Sequence, residues 1–142
     1  MPAAPTTSLS GSNVVISWTA PNRNGGIPTY TVKFSYSSVA GITLDNNLCN
    51  PGLATTCTIA ISTLRTSYDL LPGNIGMARV SANNDFGTSD FSPEGNFITL
   101  SVPDVPAKPK TTSTLSSNLV TVDWDAPAQG STSILDYTVF IK

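Results

Sequence analysis

A strand pattern that occurs twice is the feature of this sequence that most restricts its fold. In Val14–Pro21 the large apolar residues occupy every second position, which is typical of a strand with one buried face. A proline then ends the segment, because it cannot donate to a ladder. The pattern returns 106 residues later in Val120–Pro127. The matched pairs are Val14 and Val120, Ile16 and Val122, Trp18 and Trp124, and Pro21 and Pro127.

The repeat predicts an array rather than a single domain, although 142 residues alone would suggest one. A period near 106 residues is the size of one small β-sandwich. We therefore expect a complete first unit at residues 1–101 and the first three strands of a second unit at residues 102–142. The segment Pro103–Pro106 has the composition of a short, stiff hinge between them.

The remaining alternating segments predict an all-β fold, since no segment shows a convincing helical period. Leu9 and Leu115 each lie nine residues before a tryptophan, so we expect both to be core residues of a first strand. The other residues expected in the cores are Trp18, Tyr30, Val32 and Val80 in the first unit, and Trp124 and Tyr137 in the second.

Composition excludes several classes of function. Charged residues make up 11% of the chain, against about 25% in ordinary domains, and the net charge is −2. The basic residues are not clustered, so we expect no nucleic-acid partner. No apolar run reaches the length of about 18 residues that a membrane span needs. Abundant Ser and Thr indicate a polar strand surface or, alternatively, a surface that carries O-linked sugars or packs into a solid.

The start of the chain has none of the features of a signal peptide. Met1 leads directly into Pro2 and Pro5, without a basic segment or an apolar stretch. Met1 is therefore either an added first residue or the point at which a fragment of a longer chain begins, and neither alternative bears on secretion of the parent protein.

The two cysteines, Cys49 and Cys57, lie in a turn-rich segment. The chain has no histidine, which makes a zinc site a poor interpretation. A disulfide that closes this small loop is favoured and would place the protein in an oxidising compartment. Two unpaired thiols in a reducing compartment are the alternative.

Taken together, these residues resemble the fibronectin type III family. The pattern spans residues 2–101, and its most specific part runs from Val80 through Ala82, Asn84 and Gly87 to Ser92. The inserted cysteine pair is similar to versions in large extracellular repeat proteins of protists and algae. The resemblance implies an immunoglobulin-like, seven-stranded β-sandwich with strands A, B and E in one sheet and C, C′, F and G in the other. A partial second sandwich follows.

One position departs from the family pattern. The family usually has a tyrosine six residues before the alanine at Ala82, where it forms a tyrosine corner, and here that position is Gly76. Either Tyr68 substitutes for it or this copy lacks that stabilising contact.

We expect no catalysis, metal or cofactor. The absence of histidine excludes a Ser/His/Asp triad. Asp85, Asp90 and Glu94 could bind calcium, but a solvated acidic edge is the favoured interpretation. Phe86, at the tip of a predicted turn, either contacts a partner or packs against the end of the sandwich.

The incomplete second unit predicts protein partners. Because about 40 residues cannot bury a core, the unit alone would expose a set of apolar side chains: Val120, Val122, Trp124, Tyr137, Val139 and Ile141. Neighbouring repeats or further copies of the chain are expected to complete it. The predicted function is an extracellular structural or adhesive repeat, at a cell surface or secreted, such as a filament building block. A ligand-binding ectodomain or carbohydrate-binding accessory module is the alternative, and an intracellular cytoskeletal sandwich is a third.

Overall fold

The computed structural model of the chain describes residues 1–22, 26–36, 43–44, 49, 51–114 and 119–141. Leu115, which we expect to be a core residue, lies outside the described residues. The described elements are β1 (Thr6–Ser10), β2 (Asn13–Ser17), β3 (Thr29–Tyr36), β4 (Thr43–Leu44), β5 (Thr56–Ala60), α1 (Ile61–Tyr68), β6 (Ile75–Asn84), β7 (Gly87–Thr88), β8 (Ile98–Thr99), β9 (Lys110–Thr114) and β10 (Leu119–Asp123).

The first unit consists of two antiparallel sheets. One has the order β1-β2-β5, and the other has the order β4-β3-β6-β7, with β8 also paired to β6. These are the sheets A-B-E and C′-C-F-G that the family resemblance implied, so the predicted all-β sandwich is confirmed.

Alternation along each strand explains where the core lies. On β3, Tyr30, Val32, Phe34 and Tyr36 are buried, and the residues between them are partly exposed. The Trp18 side chain is buried at the end of β2, with its ring centroid 5.3 Å from that of Tyr30 in an edge-on arrangement. Val80 on β6 pairs with Val32 and is fully buried.

Leu9 is not a core residue, contrary to expectation, since its side chain is 38% exposed. It pairs with Val14 near the end of β1. Thr7, which pairs with Ile16 deeper in the sheet, takes the buried position on this strand.

Helix α1 is the element that the periodicity analysis missed. Its buried residues are Ile61 and Leu64. It ends at Asp69, which has a left-handed backbone (φ 50°), and the Leu70 N–H donates to the Leu64 carbonyl at 3.3 Å. The left-handed residue and the bond back to the Leu64 carbonyl together end the helix. A helix of eight residues offers too few turns for its period to be visible in the sequence.

The tyrosine corner is built from a different tyrosine. Tyr36, the cross-strand partner of Gly76, donates its hydroxyl to the backbone carbonyl of Tyr68. The Tyr68 side chain therefore does not take the role that we had considered for it. The contact still fixes the segment after α1 to the end of β3.

The second unit contains one described hairpin, β9–β10, which forms a separate two-stranded sheet. The expected third strand at residues 137–141 forms no ladder in the described chain. In the first unit the equivalent strand is held by ladders to C′ and F, and no described strand pairs with residues 137–141. The boundary at residues 101 and 102 stays a prediction, supported by this division of the sheets.

Candidate functional site

The described residues contain no group of three or more His, Cys, Asp and Glu side chains that could hold a metal ion. Of the three acids considered for calcium, Glu94 instead pairs with Arg79 on the neighbouring strand. Asp85 and Asp90 are exposed. The features that remain as candidate sites are surfaces at which one protein can pack on another.

No helix of the described chain is long and apolar enough to cross a membrane.

The proximal end of the first unit carries a groove of about 310 Å³. We define this end by Pro21, Asn22, Gly26–Pro28 and the β6–β7 turn. The Asn84 side-chain oxygen accepts the Phe86 N–H at 3.0 Å, which fixes the turn at its tip. The Phe86 side chain is 82% exposed, so it does not pack against the end of its own sandwich. It is available to a partner.

Two serines of the family pattern hold the segment between β7 and β8 on β6. The Ala82 N–H donates to Ser89 Oγ and the Val80 N–H donates to Ser92 Oγ, both at 3.1 Å. The backbone N–H groups of the two serines donate in return to the carbonyls of the same β6 residues at 2.8 Å. These serines therefore stabilise the fold. They are three residues apart and bond to β6 residues that are two apart, so the segment that carries them contains a β-bulge.

Cys49 and Cys57 form a disulfide with their Cα atoms 5.9 Å apart. Cys57 is buried on β5, and Cys49 packs against the core. The bond anchors the segment before β5 to the sheet.

The open face of the second unit is an apolar surface that its neighbours in the described chain leave largely uncovered. We define it as the side of β9–β10 and the following segment that carries Val120, Val122, Trp124, Tyr137, Val139 and Ile141. Val120, Val139 and Ile141 are exposed, and a cleft of about 260 Å³ lies between Val122, Trp124, Tyr137 and the hinge prolines.

Trp124 and Tyr137, which we expect in the core of a completed second unit, are 39% and 41% exposed in this chain. Their place in such a core stays a prediction. Their ring centroids are 5.5 Å apart, close to the 5.3 Å of Trp18 and Tyr30. The second unit thus repeats the central aromatic pair of the first, but one side of it is open.

A hydrogen-bonded joint connects the two units. The Ser101 N–H donates to Ser131 Oγ at 2.8 Å, and the Ser131 N–H donates to the Ser101 carbonyl at 3.2 Å. The Asp104 N–H also donates to the Ala128 carbonyl at 3.0 Å. Ser131 is buried in this contact, so the loop after β10 is fixed to the end of the first unit.

Sequence reasoning missed this joint. Gly130 and Ser131 have the composition of a local turn, and neither residue type distinguishes a turn from an interface. Gly130 has φ 72°, and a Cβ atom on it would lie 2.6 Å from the Val102 carbonyl oxygen. The only sequence signal was indirect: the loop after Pro127 differs in its residues from the equivalent loop after Pro21.

No protein-family model matches the chain, and no curated protein matches it. Solved structures do match. A crystal structure of titin domains is similar with a TM-score of 0.52 and 22% identity, covering 69% of this chain and 30% of that chain. The sixth fibronectin type III domain of human fibronectin type III domain containing protein 3 has a TM-score of 0.54 and 18% identity, covering 75% and 90%. The chicken CNTN1 FN1–FN3 domains have a TM-score of 0.52 and 19% identity, covering 76% and 35%.

These likenesses show that the chain has the fibronectin type III fold. The matched structures come from proteins as different as titin and CNTN1, so the fold by itself decides neither the function nor the compartment of this chain.

Proposed function

We propose that this chain is a structural or adhesive repeat of an extracellular protein and acts as a building block of a surface or secreted filament. The observation that carries the proposal is the open face of the second unit. It reproduces the aromatic pair of the first core and leaves that pair exposed to solvent on one side. A face of this kind needs a partner layer, because large exposed apolar patches mark interaction sites.

The edge of β10 supports the same proposal. In the first unit, β2 pairs on its far side with β5, from Asn13 with Ala60 to Ser17 with Thr56. In the second unit, β10 pairs with β9, and no described strand lies on its other side. A neighbouring repeat or a further copy that supplied a strand here would gain both ladder hydrogen bonds and apolar contacts.

Self-association tests this part of the proposal. The full chain should associate as its concentration rises in sedimentation equilibrium, and Val122→Asp should abolish the association because Val122 lies within the open face. Thr121→Asp is the matched control, since Thr121 is exposed on the other face of the same strand. A chain that stays monomeric up to about millimolar concentration, where binding is worth about 4 kcal/mol, would contradict association through this face.

The disulfide supports the extracellular placement, because such bonds persist in oxidising compartments. Intact mass measured with and without reductant, on protein from its native source, should show Cys49 and Cys57 bonded. Free thiols would instead favour the intracellular cytoskeletal alternative. The same spectra would reveal O-linked sugars as mass in excess of the sequence.

The proximal groove favours a second candidate function, a ligand-binding ectodomain or carbohydrate-binding accessory module. Phe86 is exposed beside that groove, and aromatic rings are common anchors at binding sites. Titration of the labelled chain with oligosaccharides, followed by NMR, should then shift Asn84 and Phe86. If no chemical shift changes at saturating oligosaccharide, the structural role is favoured over sugar binding.

A further inference from the structure

The proximal end of the first unit exposes three large apolar side chains. They are Ile27, Leu53 and Phe86, at 61%, 63% and 82% exposure. The ladders place them at one end: Thr29 pairs with Asn83, and the Tyr30 N–H donates to the Gly52 carbonyl at 3.1 Å. We call these three residues the proximal triad.

The distal end of the first unit, where α1 and residues 100–104 lie, presents a complementary surface. Leu71 is exposed directly after α1. The Gly73 N–H donates to the Leu100 carbonyl at 2.7 Å, which places Leu71 and Pro72 beside the start of the joint. A recess of about 90 Å³ between α1 and the joint is lined by apolar side chains, by Arg65, and by the hydroxyl residues Ser101, Ser131 and Thr132.

In the joint within this chain, a loop at the proximal end of the second unit is hydrogen-bonded to the distal end of the first unit. Ala128, whose carbonyl accepts the Asp104 N–H, corresponds to Asn22 by the 106-residue repeat. The loop of the second unit that bonds to the first unit is therefore the counterpart of a loop at the proximal end of the first. The β6–β7 turn has no counterpart in the second unit of this chain, so the observed joint lacks its Phe86.

We propose that the proximal triad is an inter-repeat contact whose occupant is the distal end of a preceding copy of the first unit. In a complete joint the loop after Pro21 bonds to the preceding hinge, and Phe86 packs on the rim formed by Leu71 and Pro72. This inference rests on the proposed function, because it requires an array of such units.

A tandem chain tests the contact, with residues 1–107 followed directly by residues 2–142, so that the natural spacing of the repeat is kept. The first unit has its own closed core, so each copy carries a complete sandwich. Spin labels on Ser8→Cys in both copies report the distance between the units. Phe86→Ser is placed either in the following copy, where Phe86 faces the new joint, or in the leading copy, where it faces solvent.

The tandem chain should give a narrow distance distribution that is lost with Phe86→Ser in the following copy and kept with the same change in the leading copy. Equal effects of the two placements, or no effect of either, would overturn the proposal. A broad distribution in the unsubstituted chain, with fast amide exchange at Ser101 and Asp104, would instead contradict the array itself and hence the proposed function.

Discussion

At the scale of single residues, Gly76 accounts for the departure from the family pattern. A Cβ atom at this position would overlap the ring of Phe34, which lies diagonally across the strand pair on β3. The tyrosine that the family places here is replaced in function by Tyr36, whose hydroxyl reaches the Tyr68 carbonyl. The hydrogen bond of the tyrosine corner is thus kept, and the ring of Phe34 fills the space that a side chain at position 76 would occupy.

Gly76→Ala should destabilise the first unit by about 1–3 kcal/mol, since an extra methyl group in a packed core forces its neighbours to move. The cost should fall when Phe34→Leu is made first, because the ring is what the methyl group meets. Urea unfolding of the two single variants and the double variant measures this coupling. Additive free energies of unfolding would show that the ring is not the obstacle.

Asn96 is the second residue whose role the structure reveals. Its side-chain amide accepts the Thr7 N–H and donates to the Thr7 carbonyl, both at 2.6 Å, and so joins the two sheets at their edges. Asn96→Ala should cost about 1–3 kcal/mol, because it leaves polar backbone of a buried residue without partners. Phe97→Ala, at an exposed neighbouring position, should stay within about 0.5 kcal/mol in the same denaturant titration. Equal losses in the two variants would contradict a bridging role.

At the scale of elements, the sequence predicted strands well where one face is buried along their length. Alternation identified β2, β3 and β6 because packing against the opposite sheet imposes a period of two. Alternation could not predict the segment between β7 and β8, because three residues of that segment lie opposite every two residues of β6. Nor could it separate α1 from the end of β5, because Ile59 and Ile61 continue the alternation into the first turn of the helix.

The end of α1 gives a prediction at this scale. Asp69 holds a left-handed backbone, which costs an L-residue about 1–2 kcal/mol and a β-branched one most. Thermal unfolding should therefore rank Asp69→Gly above Asp69→Val in stability. The same pair of changes at Thr63, exposed within the helix, should give the opposite order, because glycine has the lower helix propensity there. The same order at both positions would exclude the left-handed cap as the cause.

At the scale of the whole molecule, the sequence indicated that there are two units but not how they meet. The repeat predicts the spacing of the units, and the apolar pattern of the second unit predicts a face that a partner covers. The joint depends on backbone groups of Ser101, Asp104 and Ala128, and any residue type supplies those groups. Only Gly130 and Ser131 contribute through their residue type, Gly130 by its missing side chain and Ser131 by its hydroxyl. Both contacts are with residues distant in sequence, which a single sequence does not reveal.

Gly130→Ala should separate the stability of the joint from that of the first unit. The added methyl group would press on the Val102 carbonyl and disfavour φ 72°, so the loop should leave the hinge. Amide exchange at Ser101, Asp104 and Ser131 should become at least about tenfold faster, equivalent to about 1.4 kcal/mol, while the unfolding midpoint of the first unit stays constant. Gln129→Ala, at the exposed neighbouring position, should change neither quantity. If Gly130→Ala leaves these amides as protected as before, the three hydrogen bonds do not hold the units together. The orientation of successive repeats would then have to come from the apolar contacts of the proximal triad instead.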